Sequence, residues 1–152
     1  MTAGASIETL ERQGMTTAAN AKLGYDPADL ADIPGTTIFT TASSRRAYQL
    51  HRFCMSLMKA ENRAAFKADE GAYLDRFPMT AEQKQGVIDR DFNALIATGG
   101  NIYFLVKISN TDGWSVQKAV GTMAGMSAED YGAMMVAGGR SPQGNRSIKG
   151  EY

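Results

Sequence analysis

The sequence is poor in the side chains from which transition-metal sites are built. Its 152 residues include a single histidine, His51, and a single cysteine, Cys54. Zinc and non-haem iron sites need two or more such ligands, usually together with a carboxylate. The glycine-rich, Walker, GxSxG and HExxH motifs are also missing. We therefore predict no metal site and no catalytic residue in this chain.

The sequence also lacks an excess of charge, a second cysteine and a long apolar run. It has 16 Lys and Arg against 16 Asp and Glu, so its net charge gives no general attraction to nucleic acid or to an anionic membrane. One cysteine cannot form an intrachain disulfide, and no signal-peptide pattern or transmembrane run is present. We expect a cytoplasmic protein that binds neither nucleic acid nor membrane.

The apolar residues recur at helical rather than strand spacing. They make up 43% of a chain of one-domain length, and no stretch alternates with the period of two that a strand requires. We predict an all-α fold, a single domain of six to eight short helices at residues 31–139. An extended N-terminal arm at residues 1–30 and a C-terminal tail at residues 140–152 should flank it.

Capping residues and glycine pairs predict where several helices begin and end. Thr80 with Gln83, and Ser127 with Asp130, have the spacing of capping boxes, and glycine pairs at residues 99–100 and 138–139 predict helix ends. We predict one helix between Thr80 and the first glycine pair, and a buried helix at residues 102–108. Residues 61–77 fit one helix or two shorter ones. The stripe expected to be buried on the helix after Thr80 consists of Val87, Ile88, Phe92, Leu95 and Ile96.

Several side chains have both a functional and a structural interpretation. His51 and Cys54 lie three residues apart and could share a helix face as half of a metal site, but a buried polar histidine beside a buried thiol is the favoured interpretation. The paired carboxylates at residues 69–70, 89 and 91, and 129–130 fit helix caps and charged faces better than acid–base catalysis. Core filling is favoured over a partner surface for six methionines: Met55, Met58, Met123, Met126, Met134 and Met135.

A set of short strings, in order along the chain, resembles the small (α) subunit of protocatechuate 4,5-dioxygenase, a class II extradiol ring-cleavage enzyme. The resemblance extends from Asp32 to the C-terminus. The strings are DIPGT at residues 32–36, MSLMKAENR at 55–63, FKADE at 66–70, GGNIYFL at 99–105, Ser109, TDG at 111–113, GGRSP at 138–142 and RSIKG at 146–150.

The resemblance implies a helical, non-catalytic subunit paired with a larger catalytic β subunit in an α2β2 assembly. The β subunit would hold Fe(II) through two histidines and one glutamate, bind a catechol-type substrate such as protocatechuate, and cleave its ring with O2. The small subunit would close over the mouth of that site. The alternative is a standalone helical binding or regulatory module that shares the fold.

The resemblance also implies roles for two groups of residues. The loop after TDG would form the substrate-pocket lid, with Trp114, Ser115 and Val116 as its candidate residues. Relatives have an aromatic residue where this chain has Val116, so either the valine widens the pocket or Trp114 fills the gap. In the tail, cations alternate with apolar residues in a segment that cannot form regular structure. A tail laid along the partner, using Arg140, Arg146, Ile148 and Lys149, is therefore favoured over a free tail.

Overall fold

The computed structural model describes residues 36–139, and this part of the chain is entirely helical, without a strand. The predicted all-α fold is confirmed. The arm at residues 1–30 and the tail at 140–152 lie outside the described residues. The helices of the described part are α1 (Thr41–Arg46), α2 (Tyr48–Ser56), α3 (Ala60–Ala68), α4 (Glu70–Leu74), α5 (Ala81–Asp89), α6 (Phe92–Ala97), α7 (Ile102–Thr111), α8 (Val116–Met123) and α9 (Ala128–Val136).

One hydrophobic core joins helices α2 to α8. Its centre is aromatic: the Phe53 ring meets the Phe66 ring edge-on at 5.3 Å between centroids, and Tyr73 and Phe77 pack around the same ring. Such edge-to-face pairs add about 0.5–1.5 kcal/mol each beyond the burial of their area. The fully buried large residues are Phe53, Phe66, Leu50, Leu74, Leu95, Leu105, Ile108 and Val87.

The predicted capping signals begin the helices where expected. The Thr80 hydroxyl accepts a hydrogen bond from the Gln83 amide at 3.1 Å, and the Gln83 side chain accepts from the Thr80 amide at 3.3 Å. Ser127 accepts from the Asp130 amide at 3.0 Å at the start of α9. Each cap satisfies backbone donors that the first helical turn leaves unpaired.

The single helix expected between Thr80 and the glycine pair is wrong, because the chain breaks it at Arg90. Arg90 adopts a left-handed conformation with φ 58° and ends α5, and the Asp91 carboxylate then caps α6 by accepting from the Ala94 amide at 2.9 Å. The fold consequently has nine helices in its described part instead of six to eight, with a further division at Ala47 between α1 and α2.

The solvent exposure of individual side chains corrects several predictions of which residues form the core. Val87, Phe92 and Leu95 are buried as predicted, but the break at Arg90 leaves Ile88 47% exposed. Of the six methionines predicted to fill the core, Met123 is half-buried and packs against it, Met126 and Met134 are half-buried, and Met55, Met58 and Met135 are exposed. The only buried methionine in the described residues is Met79. The misassigned residues lie at edges of the helical stripes, where periodicity cannot tell core from surface.

The apolar run at residues 102–108 forms α7, as predicted. Asn101 caps it by accepting from the Tyr103 amide at 2.9 Å, and Leu105 and Ile108 are buried. The helix is not buried on every side, since Tyr103 is 79% exposed. Its C-terminus leads into the loop where the predicted lid residues lie.

Candidate functional site

His51 has a structural hydrogen bond that uses one of its two ring nitrogens. Its Nε2 accepts from the Asn101 amide at 3.0 Å, and its ring stacks on Phe104 at 4.3 Å. Burial lowers the pKa of His51 from its ordinary value, which favours the neutral ring that this acceptor role requires. His51 therefore joins α2 to the start of α7.

Cys54 lies three residues further along α2 and is fully buried. Burial raises the pKa of the Cys54 thiol to about 12, so the thiolate that binds metals or reacts is suppressed. Within residues 36–139, no three His, Cys, Asp or Glu side chains lie close enough together to hold a metal ion.

Four of the six paired carboxylates have local structural partners. Asp69 caps α4 through the Ala72 amide, Asp89 accepts from the Gln85 side chain, and Asp91 caps α6. Asp130 accepts from the Ser127 hydroxyl at 2.8 Å. Caps and helix-face contacts account for these carboxylates, as the sequence favoured.

Of the predicted lid residues, Trp114 and Ser115 lie in a short loop between α7 and α8 that has fixed backbone contacts. Gly113 takes φ 72°, a conformation that suits glycine, and the Trp114 amide donates to the Ser109 carbonyl at 2.9 Å. Ser115 caps α8 by accepting from the Lys118 amide at 3.1 Å. The turn is followed directly by Val116, which is the first residue of α8.

Trp114 and Val116 have opposite environments. The Trp114 ring is half-buried against the core, with the Phe92 ring 6.4 Å away and the Lys118 ammonium 4.3 Å from its centroid. Val116 is 62% exposed. The structure therefore presents the valine, not the indole, at the surface next to this loop.

Sequence reasoning missed a cluster of four charged residues at the start of the loop, named here the Arg90 cluster: Lys67, Glu70, Arg90 and Asp112. The Arg90 Nε donates to Asp112 at 2.6 Å, and its Nη1 donates to Glu70 at 2.9 Å. Lys67 contacts Asp112 at 2.7 Å. The Asp112 and Arg90 side chains are only 8% and 13% exposed, so this pair is largely desolvated, whereas Lys67 at the edge of the cluster is 49% exposed.

The electrostatics of the Arg90 cluster favour the charged forms of Arg90 and Asp112. Burial by itself would raise the pKa of Asp112, but the hydrogen bonds from Arg90 and Lys67 outweigh it and hold that pKa below its usual range. Burial likewise opposes the charge of Arg90, and its bonds to Glu70 and Asp112 more than compensate and raise its pKa. One residue could have indicated the cluster from the sequence. Asp91 is a helix-capping residue type, and its position indicates that one helix ends and another begins beside Arg90.

The sequence matches a known protein family over most of this helical region. The family is described as "LigA: Aromatic-ring-opening dioxygenase LigAB, LigA subunit", and its model matches residues 50–136. This chain belongs to the LigA family. Membership of this family means that the chain is one subunit of an aromatic-ring-opening dioxygenase. The family description also implies a second subunit as its partner.

The LigA match includes the loop with Trp114, Ser115 and Val116 and all four members of the Arg90 cluster. It ends before Arg140, Arg146, Ile148 and Lys149, which also lie outside the described residues. The role of these four as a partner interface therefore stays a prediction. Among the described helices of this LigA chain, none is long and apolar enough to cross a membrane.

Proposed function

We propose that this LigA chain is the non-catalytic small subunit of an Fe(II)-dependent extradiol dioxygenase that opens the ring of protocatechuate with O2. The observation that carries the proposal is the family match over residues 50–136. The catalytic β subunit would supply the iron ligands, and the two subunits would assemble as α2β2.

The donor chemistry of the chain supports an iron site in the partner. A two-histidine, one-carboxylate site needs more imidazoles than the one in this sequence. His51 is also engaged through Nε2 with the Asn101 amide, and Cys54 is a buried, protonated thiol. The residues of this chain do not fit an iron site of that kind.

The loop between α7 and α8 is proposed as the lid over the substrate pocket of the partner. The support is that its backbone is fixed at Trp114 and Ser115, while Val116 is exposed. An exposed valine on a fixed turn can form a pocket wall of defined position. Since the family resemblance implies an aromatic residue at this position in relatives, we expect the valine to leave more room for a ring substituent.

Co-expression with the β subunit tests the proposed function. The chain should co-purify with its partner, iron should be retained by the assembly, and protocatechuate should drive O2 uptake. The isolated chain should bind no stoichiometric iron and consume no O2, with His51→Gln as a control for adventitious binding.

Two outcomes would contradict the proposal. One equivalent of iron on the isolated chain, lost in His51→Gln, would show a metal site here after all. A chain that neither associates with a β subunit nor affects its activity would indicate a standalone helical module.

A further inference from the structure

Hydrogen bonds hold the Arg90 guanidinium in one position. Its Nε–H binds Asp112, one Nη1–H binds Glu70, and another reaches the Val87 carbonyl. Its Nη2 donates to Glu70 and, at 3.2 Å, to Asp112. All five donors of the planar guanidinium are therefore used, which a lysine at this position could not reproduce.

Asp112 transmits this arrangement to the lid loop. It is the residue that ends α7, and both its carboxylate oxygens are bound, Oδ1 by Lys67 and Arg90 and Oδ2 by Arg90. Four residues later the chain reaches Val116. A shift of Asp112 would therefore change where the exposed valine is presented.

Glu70 holds the other side of the guanidinium from α4. Its two carboxylate oxygens bind the two Nη atoms of Arg90. Among the described residues, the Glu70 carboxylate hydrogen-bonds to Arg90 and not to the loop. Any effect of Glu70 on substrate choice would have to pass through Arg90.

The backbone at Arg90 indicates that its placement is specifically maintained. Its φ of 58° is the only positive value at a non-glycine residue within the described range. This conformation is unfavourable for a residue that has a Cβ atom. The hydrogen bonds of the guanidinium offset this cost while joining α4 and α5 to the loop.

We propose that Arg90 is a positioning residue that sets the substrate selectivity of the assembled dioxygenase by fixing the lid loop through Asp112, with Glu70 orienting the guanidinium. The inference rests on the proposed function of that loop. Because the Arg90 side chain is largely buried and would act through Asp112, its effect should appear as altered discrimination between ring substituents.

A double-mutant cycle in the co-expressed α and β subunits tests the proposal. The measured quantity is the ratio of kcat/KM for protocatechuate to that for the same ring with one extra methoxy group. Val116→Phe should raise this ratio about tenfold by closing space in the pocket. Arg90→Lys and Glu70→Gln should each change the ratio and reduce the effect of Val116→Phe when combined with it.

Arg63→Lys is the matched control, because Arg63 also donates through Nη1 to backbone carbonyls, those of Leu57 and Met58, but has no contact with the loop. It should leave the ratio unchanged. Melting temperatures of all assemblies show whether a change in the kcat/KM ratio merely reflects lost stability. If Arg90→Lys fails to assemble, the ratio measured for Glu70→Gln tests the positioning role.

The outcomes distinguish the two levels of the proposal. If Val116→Phe leaves the ratio unchanged, the lid assignment fails and the inference fails with it. If Val116→Phe shifts the ratio while Arg90→Lys and Glu70→Gln change neither the ratio nor that shift, the lid stands and the positioning role is overturned.

Discussion

At the scale of single residues, one hydrogen bond assigns a structural role to His51, whereas the residue type alone would also fit a metal ligand. Its neutral Nε2 accepts from the Asn101 amide, which lies fifty positions further along the chain. Protonation would replace this acceptor with a donor facing another donor. The bond between α2 and the start of α7 therefore depends on the charge state of the ring.

We predict that the protein loses stability as the pH falls below the ordinary histidine pKa near 6.5. The pKa of His51 is lower in the folded chain, so the unfolded chain takes up the proton first. The stabilisation is complete above the unfolded pKa and is lost progressively as the pH falls from there toward the folded value. Urea unfolding at about pH 7.5 and about pH 5.5 measures the change.

His51→Gln provides the control, since the amide oxygen of glutamine can accept from Asn101 without titrating in this range. The sequence has one histidine, so little other pH dependence is expected between these values. An equal loss of stability in His51→Gln would contradict the assignment.

At the scale of elements, the turn between α6 and α7 is set by close contact with α1. The Gly99 and Gly100 amides donate to the carbonyls of Ile96 and Leu95 at the end of α6. Gly99 has φ 106°, and a Cβ there would lie 2.6 Å from the Ser43 carbonyl oxygen on α1. The second glycine pair ends α9, where a Cβ on Gly138 would meet nothing within 4 Å.

Gly99→Ala should therefore destabilise the protein more than Gly138→Ala. The two glycines have similar φ values, 106° and 101°, so each alanine incurs a backbone cost of about 1–2 kcal/mol. Overlap with Ser43 should add about 1–3 kcal/mol at Gly99 alone. The difference between their free energies of unfolding isolates the contact.

If Gly99→Ala and Gly138→Ala lower the free energy of unfolding equally, α1 must move away from the new methyl group at little energetic cost. In that case the glycine pair would act as a helix end only, as the sequence pattern alone predicts, and not also as a packing contact.

At the scale of the whole molecule, the described residues 36–139 contain one hydrophobic core. Its buried apolar residues lie between Ala47 and Ala119, and α9 has no buried residue. Large apolar side chains stay exposed in the described region, among them Tyr103 and Val136, which is 91% exposed. Such surface is compatible with a chain that functions in an assembly.

Deleting residues 142–152 should weaken the assembly with the β subunit while leaving the melting temperature of the isolated chain nearly unchanged. The proposed reason is that the tail gives cations and Ile148 to the partner and nothing to the core. Arg140→Ala and Arg146→Ala should each weaken association by about 1–4 kcal/mol, as buried interface arginines do. Titration of the two subunits by calorimetry measures the affinity.

Removal of residues 1–11 is a control of equal length at the other terminus. A tail deletion that lowers the melting temperature of the isolated chain, or that leaves the affinity for the partner intact, would contradict the assigned role.

The sequence by itself determined the features that depend on neighbouring residues. The all-α class, the caps at Thr80 and Ser127, and the glycine ends follow from helical periodicity and from hydrogen bonds within one turn. The small number of imidazoles already argued against an iron site in this chain. These properties need no knowledge of which helices touch.

Only the tertiary structure decided the features that join distant parts of the chain. The ion pairs from Arg90 to Glu70 and Asp112 span 20 and 22 positions, and no local pattern encodes them. The left-handed turn at Arg90, the exposure of Ile88 and the burial of Trp114 beside an exposed Val116 depend on how the helices pack. The physical reason is that periodicity gives each helix an apolar side, whereas its neighbours decide which part of that side is covered and which charges meet.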